Sequence, residues 1–147
     1  MKQVVCFGEV LWDLFLDEKK LGGAPLNVAL RMKSWGIDSQ MISSVGNDAL
    51  GQEIISRIKE QGLDTKYIQI NKKFDTGIVT VTLDQHGSAS YEIKHPVSWD
   101  KIELQSEHKK LVSTSDAFVF GSLVARDAVS KNCLLDLLKI APYTVFD

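Results

Sequence analysis

The chain has 147 residues, 44% of them hydrophobic and 24% charged, which is enough apolar material for one core of ordinary domain size. Its 17 Lys and Arg nearly balance its 19 Asp and Glu, and this excludes a surface-wide positive field that would draw in nucleic acid or anionic membrane. No apolar run approaches the roughly 20 residues of a bilayer span, and the first, Val4–Phe7, is cut by Gly8-Glu9 short of signal-peptide length; a cytoplasmic protein is expected.

Val4–Phe7 and Leu11–Leu16 read as strands of a largely buried sheet, with Asp13 as the polar exception. Cys6 in the first strand and Cys133 far along the chain have no ligand partners nearby in sequence and read as buried thiols in a reducing compartment. A polar turn, Asp17–Lys20, leads to Leu21-Gly22-Gly23. Pro25 then opens a helical spacing of apolar residues, Leu26, Ala29, Leu30, Met32 and Trp35, stopped by Gly36. Met41–Val45 is a further strand. Gly46-Asn47-Asp48 turns into a helix over Ala49–Gln61 that buries Leu50, Ile54, Ile55 and Ile58 and closes at Gly62.

The texture then changes. Tyr67–Ile70, Gly77–Leu83 and Ser88–Ile93 are short β-branched or alternating segments, the last two joined by the hairpin connection Asp84-Gln85-His86-Gly87. Adjacent antiparallel strands set between αβ units predict a small sheet projecting from the main one. The alternation resumes with a helix around Glu103–Val112, a strand at Ala117–Phe120, a helix over Ala128–Ile140 and a strand from Tyr143 to Phe146. In a βαβ fold that last strand would deliver residues to a ligand crevice, and the chain stops there, at Asp147, with no linker composition to mark a boundary. The expected fold class is therefore α/β, a largely parallel central sheet flanked by helices, incomplete at the C-terminus.

The sharpest chemical feature is Gly22-Gly23-Ala24-Pro25-Leu26-Asn27. Two glycines let a ligand approach the backbone, free N–H groups at a helix start can donate to its oxygens, and an asparagine amide both donates and accepts, as sugar hydroxyls require. The same residues also suit a plain tight turn with Asn27 solvated, and spacing alone leaves both readings open.

Gly-Gly-x-x-x-Asn-x-Ala at Gly22–Ala29 is similar to the N-terminal signature of ribokinase-like (PfkB) sugar kinases. Other segments agree in order. Cys6–Asp13 resembles the first strand pair of fructokinases, Gly46–Gly51 the family's Gly-x-Asp-x-x-Gly turn, and Thr76-Gly77 the beginning of a lid strand. Trp99-Asp100 and Gly121-Ser122-Leu123 resemble fructokinase-type segments, and Val145-Phe146-Asp147 the start of an Asp-x-Asn-x-Arg stretch. The resemblance implies a ribokinase-like fold in which residues 1–147 are the N-terminal part of the kinase domain, with β lid segments at about 11–21 and 67–95.

The resemblance further implies that Asp13 accepts from two sugar hydroxyls and that Gly22, Gly23 and Asn27 are sugar contacts. Tyr91 on the lid and Arg126 after Gly121-Ser122-Leu123 are candidate contacts too; for each a structural role, strand packing or an exposed helix-start arginine, stays open. The lid is expected to close over the sugar and to pair with a second subunit's lid in a homodimer. His86, His95 and His108 have no metal spacing, and no metal site is expected within the chain.

The resemblance assigns ATP and Mg²⁺ to the complete protein, but the family's Gly-Ala-Gly-Asp motif, with its catalytic aspartate and anion hole, occurs nowhere in these residues. Nor does a Walker or dinucleotide glycine motif. No catalytic residue and no bound cofactor are expected of this chain alone, only the sugar. The alternatives are a non-catalytic sugar-binding or lid-mediated dimerisation module and, within the family, a 2-keto-3-deoxygluconate or nucleoside kinase.

Overall fold

The computed structural model describes residues 2–147. The elements run β1 (Gln3–Phe7), β2 (Leu11–Leu14), β3 (Lys19–Gly22), α1 (Ala24–Ser34), β4 (Asp38–Gly46), α2 (Ala49–Glu60), β5 (Ile68–Asn71), β6 (Gly77–Leu83) and β7 (Ala89–Ile93). After a 3₁₀ turn at Ser98–Lys101 come α3 (Ser106–Thr114), β8 (Ala117–Phe120), a second 3₁₀ turn at Leu123–Arg126, α4 (Ala128–Leu138) and β9 (Thr144–Phe146).

Five of the strands form one parallel sheet in the order β5-β4-β1-β8-β9. Both faces are covered, which is why β1 and β8 are continuous apolar runs rather than alternating ones. Successive side chains still point to opposite faces. Cys6, Met41, Val45 and Val119 pack with Leu26 and Ala29 of α1 and Ile54 and Ile58 of α2. On the other face Val5, Phe7, Ile42 and Phe118 pack with Leu111 and Val112 of α3, with Cys133, Leu134 and Leu137 of α4, and with Trp99. Both cysteines are buried, and burial pushes both thiols up to about 12, so they stay protonated and unreactive.

β4 runs longer than its apolar stretch because buried hydroxyls find backbone acceptors: Ser39 Oγ donates to Ala29 O at 2.7 Å and Ser43 Oγ to Gly8 O at 2.6 Å. Leu50 and Ile55 of α2 are half-buried, so the buried stripe of that helix is narrower than its spacing predicted.

The remaining strands form a separate sheet, β3-β2-β6-β7. It is mixed rather than antiparallel throughout: β2 pairs antiparallel with β3 but parallel with β6, and β6 pairs antiparallel with β7. The stretch expected as a polar turn at Asp17–Lys20 is a turn only to Glu18, whose carbonyl accepts the Phe15 N–H at 2.8 Å; Lys19 and Lys20 already belong to β3. Likewise Phe15 and Leu16, the last residues of the predicted strand, fall outside β2, which ends at Leu14.

The segment Tyr67–Ile70, expected in the projecting sheet, lies elsewhere. β5 is an edge strand of the main sheet, parallel to β4. Residues 38–71 form a strand–helix–strand crossover, and its second strand is short and half-exposed like the strands of the small sheet, so periodicity does not separate the two. The small sheet is held to the body by Trp12, which is buried against the core shared with α1 and α2 and donates its indole N–H to Leu50 O at 3.1 Å. The Asp84–Gly87 hairpin forms as expected, closed by Asp84 N–H to Ser88 O at 2.9 Å.

Candidate functional site

Where β1 ends, the chain turns through Gly8-Glu9-Val10 into β2 and the small sheet, and then returns through β3 to start α1. The C-terminal edge of the parallel sheet, the first turn of α1 and the base of the small sheet therefore meet at one crevice, where ligands of open α/β sheets bind.

Asp13 sits in the middle of β2, in register with Lys20 of β3 and Val79 of β6. It is half-buried, and burial raises its carboxyl above the usual aspartate range. The backbone of Gly22 lies directly against that carboxylate: a Cβ there would overlap Oδ2. Gly23 precedes α1 with φ +114°, a conformation that L side chains rarely adopt, and a Cβ there would overlap the carbonyl oxygen of Glu9. Pro25 stands in the first turn of α1, and the Asn27 N–H closes that turn onto Gly23 O at 2.9 Å. The Asn27 side chain is exposed. Asp13 and Gly22 are thus in contact, with Gly23 next in the same turn, whereas the exposed Asn27 side chain lines a cavity with Ala24, Arg31 and Trp35.

The Gly46-Asn47-Asp48 turn fixes the start of β6 rather than facing that turn. Asp48 caps α2 by accepting the Gly51 N–H at 2.8 Å, and it accepts the Thr76 N–H at 2.9 Å and the Thr76 hydroxyl at 2.6 Å. The same hydroxyl oxygen accepts the Gly46 N–H at 2.9 Å. Burial alone would raise the Asp48 carboxyl, but these donors outweigh it and hold it below the usual range.

Arg126 is committed to the protein. Its Nε and Nη2 donate to the two oxygens of Asp100 at 2.8 and 2.9 Å, Nη2 also donates to Lys94 O at 2.6 Å, and the guanidinium lies 4.1 Å from the centre of the Trp99 ring. Asp100 is fully buried, so the fork neutralises a carboxylate that has no access to water. The exposed helix-start arginine expected as the alternative to a substrate contact is instead part-buried and paired with Asp100. Tyr91 lies in β7 opposite Val81, on the same face as Asp13 and Val79, and is 66% exposed. Its ring is not part of the core.

Sequence reasoning overlooked Glu9. It is only 5% exposed, lies beside the first turn of α1, and has one carboxylate oxygen, Oε2, with no hydrogen-bond partner. An acidic residue just after a buried strand and two positions before the next is the signal that marks it. No three His, Cys, Asp or Glu side chains converge in a way that would hold a metal ion among the described residues.

The sequence pattern of the pfkB family carbohydrate kinases matches residues 1–145. The chain belongs to that family. It is 33% identical over 129 residues to a putative sugar kinase of Pyrococcus horikoshii, covering 88% of this chain and 41% of that protein. It is 30% identical over 152 residues to a probable fructokinase of Arabidopsis thaliana, covering 94% and 44%. The crystal structure of the Pyrococcus protein superposes with a TM-score of 0.89 at 29% identity, over 99% of this chain and 52% of that one. A fructokinase from Xylella fastidiosa shares the fold, with a TM-score of 0.84 at 24% identity over 99% and 50%. The chain thus spans about half the length of the relatives it matches. The family's fold accounts for the doubly covered parallel sheet and the small projecting sheet found here.

Proposed function

We propose that this chain supplies the sugar-binding part of an ATP-dependent carbohydrate kinase of fructokinase type, acting on a hydroxymethyl oxygen of fructose or a similar hexose. The observation that carries the reading is Asp13. A carboxylate half-buried in a strand, with no hydrogen-bonding partner of its own side chain among the described residues and with backbone pressed against it at Gly22, is arranged to accept hydroxyl donors from a ligand. Gly22, Gly23 and Asn27 line the same turn. Tyr91 is proposed as a lid contact made when the small sheet closes, and Arg126 as a support of the crevice floor through Asp100 and Trp99.

The solved relative from Pyrococcus horikoshii has been crystallised with ATP, which supports ATP as the donor in the complete protein, with Mg²⁺ as the phosphate's partner. A cytoplasmic enzyme is proposed; no described helix is long and apolar enough to cross a membrane. The test is an assay of ADP release by the full-length protein across a panel of neutral hexoses, 2-keto-3-deoxygluconate and nucleosides. Turnover with fructose or a related hexose supports the reading, and turnover only with the acid or a nucleoside replaces it. Residues 1–147 alone are expected to bind sugar without turning it over.

A second copy is proposed to pair through the small sheet. Leu83, Tyr91 and Ile93 are exposed on β6 and β7, an apolar surface beside the edge strand β7. Light scattering of wild type and Leu83→Lys tests it: a fall in mass for the variant supports lid pairing, and an unchanged monomer in both rejects it.

A further inference from the structure

Trp99 is fully buried, yet its indole N–H has no acceptor among the described residues. The edge of the ring that carries this N–H lies against Gly77, the first residue of β6, where a Cβ would overlap Nε1 and Cδ1. The φ of Gly77 is not positive, so its backbone does not call for a glycine; the space taken by the ring does.

Gly77 belongs to a row that crosses the small sheet. Leu11 of β2 is in register with Gly77 on one side and with Gly22 of β3 on the other, and residues paired in this way share a face. The row runs from Trp99 through the bare Gly77, then Leu11, to the bare Gly22, and it ends on the Asp13 carboxylate. It is closely packed: the Cβ position of Gly77 lies 3.4 Å from Leu11 Cβ, and that of Gly22 lies 3.3 Å from Leu11 Cδ1.

The ring is fixed from the side of the body. Arg126 covers it at 4.1 Å and is itself held by both oxygens of Asp100, and Ser130 Oγ donates to Trp99 O at 2.7 Å. Arg126 also holds the strand that leaves the small sheet, through Lys94 O at 2.6 Å, while the Lys94 N–H donates to Ile78 O at 3.3 Å. The strand that enters is held by the Ser98 N–H, which donates to Asp75 O at 2.8 Å. Both connections of the β6–β7 hairpin therefore meet at Trp99. A core built only for stability would not bury an unpaired donor, which is destabilising. What the indole provides is a broad, rigid edge for β6 to rest on.

We propose that Trp99 is the positioning residue of the Asp13 carboxylate: its ring, backed by Arg126, is the fixed stop against which β6 rests, and the row through Leu11 and Gly22 passes that position on to Asp13. The inference rests on the reading that Asp13 binds sugar. Its mechanical part, the seating of the small sheet on the ring, stands apart from that reading.

The experiment compares wild type, Gly77→Ala, Trp99→Leu, the two combined, and Asp13→Ala in the full-length protein, by hydrogen exchange, fructose titration calorimetry and urea unfolding. For Gly77→Ala, faster exchange at residues 11–14 and 77–80 with no change at 3–7 and 117–120 is expected, together with a fructose Kd raised about tenfold. Trp99→Leu should raise Kd by a similar factor. In the combined variant the new methyl fills space the ring has left, so Kd should return to within about threefold of wild type. Unchanged exchange at 11–14 and 77–80 in Gly77→Ala overturns the proposal, as does exchange that rises evenly along the chain with a lowered urea midpoint, or losses that simply add in the combined variant. Should the variants at Trp99 not fold, the exchange and Kd of Gly77→Ala decide. If wild type binds no fructose and Asp13→Ala changes nothing, the sugar reading falls, and the exchange data still decide whether the ring seats the sheet.

Discussion

Gly22 and Asp13 are in contact across β2 and β3, with the glycine backbone so close to the carboxylate that any side chain at 22 must move it. Gly22→Ala is therefore expected to displace Asp13 while leaving the fold intact, because the obstructing atom is the end of a side chain that can rotate. Calorimetry should show a sugar Kd raised about tenfold or more, with little change in melting temperature. At Gly23 the obstruction is backbone, the carbonyl of Glu9, and φ is +114°. Gly23→Ala is expected to destabilise the protein itself, by about 1–3 kcal/mol, and to lower the melting temperature.

Asp13→Asn is expected to separate stability from binding. Burial raises the folded-state carboxyl above its unfolded value, so the ionised form is disfavoured in the folded chain. The sign follows: the stability linked to this group is fully present below the unfolded value and is lost as pH rises through the folded one. At pH 7 the asparagine variant should unfold at higher urea than wild type, and the difference should vanish towards acid pH. Its affinity for sugar should fall in the same buffer.

Removal of Arg126 should be far more damaging than loss of a surface arginine. Arg126→Ala leaves the fully buried Asp100 carboxylate without its cation, retaining only the Val97 N–H at 2.9 Å. Breaking a buried pair from one side costs about 3–5 kcal/mol, against about 0–1 for an exposed pair. Chemical denaturation distinguishes the two, and a loss below about 1 kcal/mol would show that Arg126 is not structural.

His108 should make stability fall on the acid side of neutrality. It is 1% exposed, accepts the Gln105 N–H at 3.3 Å through Nδ1, and lies edge-on to Tyr67. Burial lowers its folded-state value below the ordinary 6.5, with Glu107 opposing this. Its contribution is thus present above about pH 6.5 and is lost as pH falls through the lower, folded-state value. Unfolding midpoints measured between pH 8 and 5 should decline for wild type, and the decline should be shallower for His108→Gln.

Much of the fold was legible because its signals are local. Val4–Phe7 and Ala117–Phe120 are apolar runs of strand length, Pro25 and Gly36 bracket a helix, and Asp84–Gly87 closes a hairpin. The meeting of Gly22, Gly23 and Asn27 was legible too, since they lie within six residues, and Asp13 came from its place in a motif order. Less legible was the assignment of strands to sheets. β5 and β6 are both β-branched and part-exposed, and only pairing decides that one joins β4 and the other β2.

The amino-acid order by itself determined an α/β chain with a glycine turn at the head of its first long helix, because helix starts, turns and strand periods depend on neighbours in sequence. Tertiary structure alone decided what the polar residues do. Arg126 meets Asp100 across 26 residues, and Asp48 meets Thr76 across 28. A charge is assigned its role by what else is buried beside it, and that depends on packing between segments whose separation along the chain carries no record of their contact.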